Sequence, residues 1–133
     1  MNYVFAIFIF ITGVFANDLM KGFEAINQGD FIQAQIHLQK ACDNKNAKGC
    51  FGLGLMHYRG DGAAQDYAKA TIYYKKACDS GEVLGCFNLA AMHDTGMGAK
   101  RDKARAKELF KLARDMDYEA GCEEYKLLTE KGY

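Results

Sequence analysis

The 133-residue chain contains no proline and no tryptophan, and it has no net charge because 17 Lys and Arg balance 17 Asp and Glu. The lack of proline, together with 26% charged residues, argues against a disordered chain or a proline-rich ligand. The charge balance removes the electrostatic reason to expect a nucleic acid or an anionic membrane as a partner. The length fits one domain with a substantial core.

Charged residues are also missing from one stretch, residues 1–16. This apolar stretch is shorter than the roughly 20 residues that a membrane span needs, and residues 14–16 form a small-residue cleavage pattern. The alternative is a buried N-terminal helix. We predict a cleavable signal peptide over residues 1–16, a mature chain from about residue 17 without a membrane span, and a secreted or periplasmic location.

The remaining sequence repeats with a period of 36 residues. The five cysteines occupy positions 42, 50, 78, 86 and 122, and Arg114 stands where the period would place a sixth. Other residues keep the same period, including Met56 and Met92, Gly60 and Gly96, and Gly62 and Gly98. A period of this length is typical of a solenoid, in which each unit packs its apolar face against the next.

Each repeat predicts two helices. In the second repeat, a glycine-containing turn at residues 60–62 ends the first helix, and Asp66 is a suitable N-cap for the next. Asp102 has the same place one repeat later. We therefore predict an all-α solenoid forming a single domain over 17–133. Its units cover about 18–43, 47–79 and 83–116, followed by a polar capping helix over 119–131.

The segment GCFGLGLMHYRGDG at residues 49–62, followed by Asp66, Lys69-Ala70 and YYKKAC at residues 73–78, resembles the Sel-like repeat, a relative of the tetratricopeptide repeat. The C-x7-C spacing makes the chain similar to the Helicobacter cysteine-rich proteins. This resemblance implies a right-handed, exported α/α solenoid. Members are commonly labelled β-lactamases, with penicillin binding or weak hydrolysis, and some are discussed as secreted host-interacting factors.

The cysteine spacing predicts two disulfides. Each C-x7-C segment joins antiparallel helices across a short loop, which brings the pairs Cys42–Cys50 and Cys78–Cys86 within bonding range. A zinc site would need C-x2-C or interleaved histidines, and neither is present. Cys122 is left over, either as a buried thiol or as the bridge of a covalent dimer.

No motif of a known β-lactamase is present. The chain has a single serine, Ser80, with neither S-x-x-K nor G-x-S-x-G around it. Ser80 lies between Cys78 and Cys86, where a small polar turn residue is expected. The histidines 37, 57 and 93 stand singly, without the clustering that a metal site needs. The sequence thus indicates no catalytic residue, metal or cofactor.

A binding groove is the other functional hypothesis. His57 and His93 occupy the same place in successive repeats, and Tyr58, Asn88 and Asp94 lie near them in the sequence. First helices line the binding surface of a solenoid, so these five residues are candidates for a groove. Alternatively, His57 replaces an aromatic residue at a half-buried repeat position.

Two classes of function therefore remain. One is β-lactam binding with weak hydrolysis, which the family resemblance implies. The other is non-enzymatic binding of a peptide, a protein or a cell-wall fragment, which includes an adaptor for envelope complexes.

Overall fold

The computed structural model describes residues 17–133. Within this range the chain forms seven helices and no strand. Helix α1 covers residues 17–27. The others are α2 (Phe31–Asp43), α3 (Ala47–Arg59), α4 (Tyr67–Asp79), α5 (Val83–Thr95), α6 (Lys103–Asp115) and α7 (Glu119–Glu130). The predicted signal peptide lies outside the described residues.

The helices pack in chain order, from α2 on α3 to α6 on α7. This succession of neighbouring helices is the arrangement of an α/α solenoid, so the predicted fold class is confirmed. No helix within residues 17–133 combines the length and the apolar content needed to cross a membrane.

Aspartates begin the second helix of each repeat. Asp30, Asp66 and Asp102 are the N-caps of α2, α4 and α6. In each case the carboxylate accepts a hydrogen bond from the backbone amide three residues later, at 2.9–3.1 Å. The caps satisfy amide groups that have no partner within the helix, and they recur because the 36-residue period repeats the local signal.

The turns inside the repeats need glycine for two reasons. Gly62 and Gly98 have φ angles of +78° and +71°, which residues with a side chain rarely adopt. A Cβ at Gly98 would also lie 2.2 Å from the carbonyl oxygen of Tyr67, and one at Gly62 would lie 2.6 Å from the Cβ of Phe31. Each turn therefore packs directly against the start of the preceding repeat's second helix.

Two disulfides join successive repeats. Cys42–Cys50 links α2 to α3, and Cys78–Cys86 links α4 to α5, each with Cα atoms 4.5 Å apart. The predicted disulfide-linked helix pairs are thus confirmed. Close approach at these junctions requires glycine, because a Cβ at Gly85 would lie 2.7 Å from the Cβ of Ala77.

At the third junction, α6 and α7 approach each other as closely as the helices at the other two junctions, but no disulfide joins them. A Cβ at Gly121 would lie 2.8 Å from the Cβ of Ala113 and 2.9 Å from the backbone nitrogen of Arg114. Arg114 instead pairs with Asp115 at 2.7 Å, and its guanidinium carbon lies 4.6 Å from the ring centroid of Tyr125.

The core follows the same period. Leu38, Tyr74 and Phe110 occupy equivalent positions and are at most 2% exposed. The small residues that let the helices approach are also periodic and fully buried, namely Ala34, Ala70, Ala106, Ala41, Ala77 and Ala113. Burying a large apolar side chain stabilises a fold by about 1.5–3 kcal/mol, so one repeated pattern supports every unit.

Candidate functional site

A cavity of about 280 Å³ lies between the first helices of two successive repeats, α3 and α5. We call it the α3–α5 cavity. Leu55, Tyr58 and Arg59 line it from α3. The opposite side is formed by α5 and the residues that follow it, with Tyr74 contributed by α4; these lining residues are Asn88, Ala91, Met92, Thr95, Met97 and Tyr74.

Two of the polar side chains that line the α3–α5 cavity are the phenol of Tyr74 and the amide of Asn88. Burial raises the pKa of Tyr74 to about 12, and a side-chain hydrogen bond with Asn88 opposes that shift. The phenol therefore stays protonated at neutral pH. The Asn88 amide offers both donors and an acceptor, so these two groups can hydrogen-bond a ligand and are themselves uncharged at neutral pH.

Two exposed residues of α3, an aromatic and a cationic one, stand at the mouth of the cavity. Tyr58 is 37% exposed, and its ring centroid lies 5.2 Å from that of Tyr67. Arg59 is exposed, and no carboxylate of residues 17–133 forms an ion pair with it. An anionic group bound at the mouth would therefore meet an available guanidinium.

The proposed groove histidine of the second repeat is buried. His57 is 8% exposed and stacks on Tyr73, with ring centroids 5.4 Å apart and planes 3° apart. The Tyr73 hydroxyl in turn donates a 2.9 Å hydrogen bond to Gln39. Burial and then the positive charge of Lys69 lower the pKa of His57, against a smaller opposing effect of Asp66. This ring is a packing contact between α3 and α4.

The remaining two groove candidates contact the α5–α6 turn and the first residue of α6. His93 Nδ1 lies 3.3 Å from the carbonyl oxygen of Lys100. Asp94 forms an ion pair with Lys103, with 2.7 Å between carboxylate and ammonium. Of the five candidates, the structure thus brings Tyr58 and Asn88 together in one cavity and places the other three elsewhere.

Of the nine residues that line the α3–α5 cavity, sequence reasoning named only Tyr58 and Asn88 as site candidates. Arg59 and Ala91 show no distinctive pattern, and the helical spacing of Tyr74 is that of a core residue. Tyr74 is indeed 1% exposed, yet it also lines the cavity. A comparison of repeats could have revealed it, because the equivalent position 110 has a phenylalanine, which lacks the hydroxyl.

Ser80 lies in a different cavity, of about 240 Å³, beside the first disulfide. Lys45, Lys76, Asp43 and Asp79 line the same cavity, so the chain's single serine shares it with two ammonium groups and two carboxylates. A serine nucleophile needs a general base within hydrogen-bond reach. No side chain within residues 17–133 accepts a hydrogen bond from the Ser80 hydroxyl, and the serine is exposed at the end of α4.

Metal chemistry finds no support in the described part of the chain. No three His, Cys, Asp or Glu side chains of residues 17–133 converge as a metal site requires. Cys122, the one cysteine outside the two disulfides, is partly exposed near the start of α7.

The fold and the α3–α5 cavity define a class of protein: an α-solenoid of helix-pair repeats joined by disulfides, with a cavity between first helices. The Sel1 repeat family matches residues 19–46, 47–82 and 83–118. The chain belongs to that family, and its cysteine pattern makes it similar to the family's cysteine-rich Helicobacter members.

Three relatives illustrate the similarity. HcpC of Helicobacter pylori strain ATCC 700392 / 26695, whose β-lactamase name is provisional, is 44% identical over 41 residues, which are 31% of this chain and 14% of HcpC. A Sel1 repeat protein from Oxalobacter formigenes superposes with a TM-score of 0.79 at 20% identity, covering 86% of this chain and 90% of that one. Helicobacter pylori cysteine-rich protein B superposes with a TM-score of 0.67 at 23% identity, covering 82% of this chain and 92% of that one. The two structural matches show the fold alone, and the matched segment is about one seventh of HcpC.

Proposed function

We propose that this protein is a non-enzymatic binding protein that holds a segment of a peptide or another protein at the α3–α5 cavity. The observation that supports this proposal is the composition of the cavity: apolar residues, the Asn88 amide, the neutral phenol of Tyr74 and an available arginine at the mouth. Ligand sites in proteins typically combine apolar lining with a few polar groups.

The size of the cavity favours a side chain over a whole small molecule. Its volume of about 280 Å³ is just below the ~300–1,000 Å³ of pockets that enclose a small-molecule ligand. A peptide segment would place one side chain inside and keep the rest of its length along neighbouring first helices, as solenoids allow.

We further propose that the chain acts outside the cytoplasm, after export through a signal peptide over residues 1–16. Disulfides persist in oxidising compartments and are rare in the cytosol, and this chain has two. Intact mass of the exported protein tests the proposal. A mature chain that starts at Asn17 with two disulfides is expected, and a retained N-terminus would contradict it.

Selection from a displayed random-peptide library on the oxidised protein tests the binding function. Selected peptides should shift the NMR signals of Tyr58, Asn88 and Ala91 on titration. The variant Ala91→Leu, which narrows the cavity, should lose this binding while keeping its helical circular dichroism. Peptides whose shifts fall only on α2, α4 and α6, or none selected at all, would argue against the proposal.

The second candidate is weak β-lactam hydrolysis. The name of HcpC and the position of Ser80 beside two lysines favour it. A chromogenic cephalosporin assay on oxidised protein, with Ser80→Ala as the matched variant, separates the two functions. We expect no sustained turnover in either protein. Turnover that co-purifies with the wild type and disappears in Ser80→Ala would make the protein an enzyme.

A further inference from the structure

The α3–α5 cavity is particular to one junction, although the helices around it are repeated. The residues 36 positions after Asn88 and Ala91 are the larger Glu124 and Leu127. Tyr74 is replaced by phenylalanine in the next repeat, so the hydroxyl is also missing there. The small Ala91 and the polar pair of Tyr74 and Asn88 thus make a site that the repeat pattern alone does not require.

Arg59, at the mouth, is one of two arginines, with Arg101, that form no ion pair within residues 17–133. Arg105 and Arg114 each pair with a neighbouring carboxylate, at 2.9 and 2.7 Å. Arg59 pairs with no carboxylate of residues 17–133 and is exposed. A guanidinium presents several N–H donors in a geometry that matches a carboxylate, so its charge complements an acidic ligand.

We propose that the α3–α5 cavity recognises an extended segment of a partner protein in which an apolar side chain is followed by an acidic residue. The apolar side chain enters between Leu55 and Ala91, and the carboxylate pairs with Arg59. Asn88 hydrogen-bonds the backbone of the segment. This inference rests on the proposed binding function and adds the chemical class of the ligand.

Three peptides with blocked termini test the proposal, so that no terminal carboxylate contributes. They carry Leu-Asp, Leu-Asn or Ala-Asp within the same glycine-serine frame, and each is titrated into isotope-labelled oxidised protein. We expect the Leu-Asp peptide to bind most tightly, with shifts at Tyr58, Asn88 and Ala91. Raising the salt from about 0.05 to about 0.5 M should weaken its binding and leave that of Leu-Asn unchanged.

The variant Arg59→Gln should weaken binding of the Leu-Asp peptide about two- to five-fold, as expected for a partly exposed ion pair, without changing that of Leu-Asn. Arg105→Gln, on α6, is the matched control and should bind like the wild type. Ala91→Leu should remove binding of all three peptides.

The outcomes separate this inference from the function on which it rests. Equal affinity for Leu-Asp and Leu-Asn would overturn the acidic specificity and leave peptide binding intact. Equal affinity for Leu-Asp and Ala-Asp would overturn the role of the cavity. No shift at the cavity with any of the three peptides would also overturn the inference, and the library selection then decides the binding function independently.

Discussion

The rings of His57 and Tyr73 lie parallel between α3 and α4, with centroids 5.4 Å apart and planes 3° apart. The contact is buried, and the pKa of His57 is lowered chiefly by that burial. An imidazole kept neutral in this way acts as an aromatic spacer between two helices, which is the alternative to a groove residue that the sequence left open.

The burial of His57 predicts a pH-dependent contribution to stability. A histidine whose pKa is lower in the folded protein takes up its proton more readily in the unfolded chain. Its contribution to the free energy of unfolding is therefore complete above the ordinary pKa of 6.5 and is lost as the pH falls through the lowered pKa. Urea midpoints measured between about pH 5 and about pH 8 should show this loss.

The variant His57→Phe, which keeps a ring against Tyr73, should reduce the loss of stability at acidic pH. His93→Gln is the matched control, because His93 holds the same repeat position but is less buried. If the urea midpoint of His57→Phe falls between about pH 8 and about pH 5 as much as that of the wild type, burial of His57 does not cause the loss of stability.

The disulfides should stabilise the protein by restricting the unfolded chain. For loops of this size, a chain-entropy estimate gives roughly 2–3 kcal/mol for each bridge. The double variant Cys42→Ala and Cys50→Ala should lower the free energy of unfolding by about this amount. Cys122→Ala is the control and should unfold like the wild type. An unchanged urea midpoint in the double variant would refute the stabilising role.

The third junction should accept a disulfide that the natural chain lacks. Gly121 approaches Ala113 as closely as Gly85 approaches Ala77. A Cβ added at each glycine would lie 2.8 and 2.7 Å from the alanine Cβ. Arg114→Cys is therefore expected to bond with Cys122 during oxidative folding. Thiol titration should find no free cysteine, and the melting temperature should rise in a way that reductant reverses. Arg114→Ala, which loses the contact with Tyr125 and gains no bridge, is the comparison.

The glycine turns should differ in their tolerance of a side chain. At Gly81 a new Cβ would meet nothing within 4 Å, although φ is +93°. Gly81→Ala should therefore cost only the conformational strain, about 1–2 kcal/mol. Gly98→Ala adds a clash with the Tyr67 carbonyl oxygen and should cost more than about 3 kcal/mol. Urea unfolding of both variants measures the difference, and equal losses would show that the turn moves freely.

Dimerisation through Cys122 stays a prediction. Cys122 is neither buried nor fully exposed. Non-reducing intact mass of the purified, oxidised protein decides between a covalent dimer, which Cys122→Ala should abolish, and a monomer with one thiol.

The sequence by itself determined the repeat, the helix pairs, the aspartate caps and the two disulfide pairs. These features are local or strictly periodic: Asp66 caps the helix that follows it, and Cys42 and Cys50 are eight positions apart across one turn. Short-range geometry therefore gives the same result in each unit.

Only the tertiary structure decided which candidate side chains share a site. Adjacent residues on a helix point in different directions, so His57 turns towards Tyr73 while Tyr58 lines the cavity. Asn88 lines the same cavity from a helix in the next repeat, and Asp94 forms an ion pair with Lys103. These contacts depend on how one repeat is rotated and packed against the next, and on which side chains are small enough to leave a space between them.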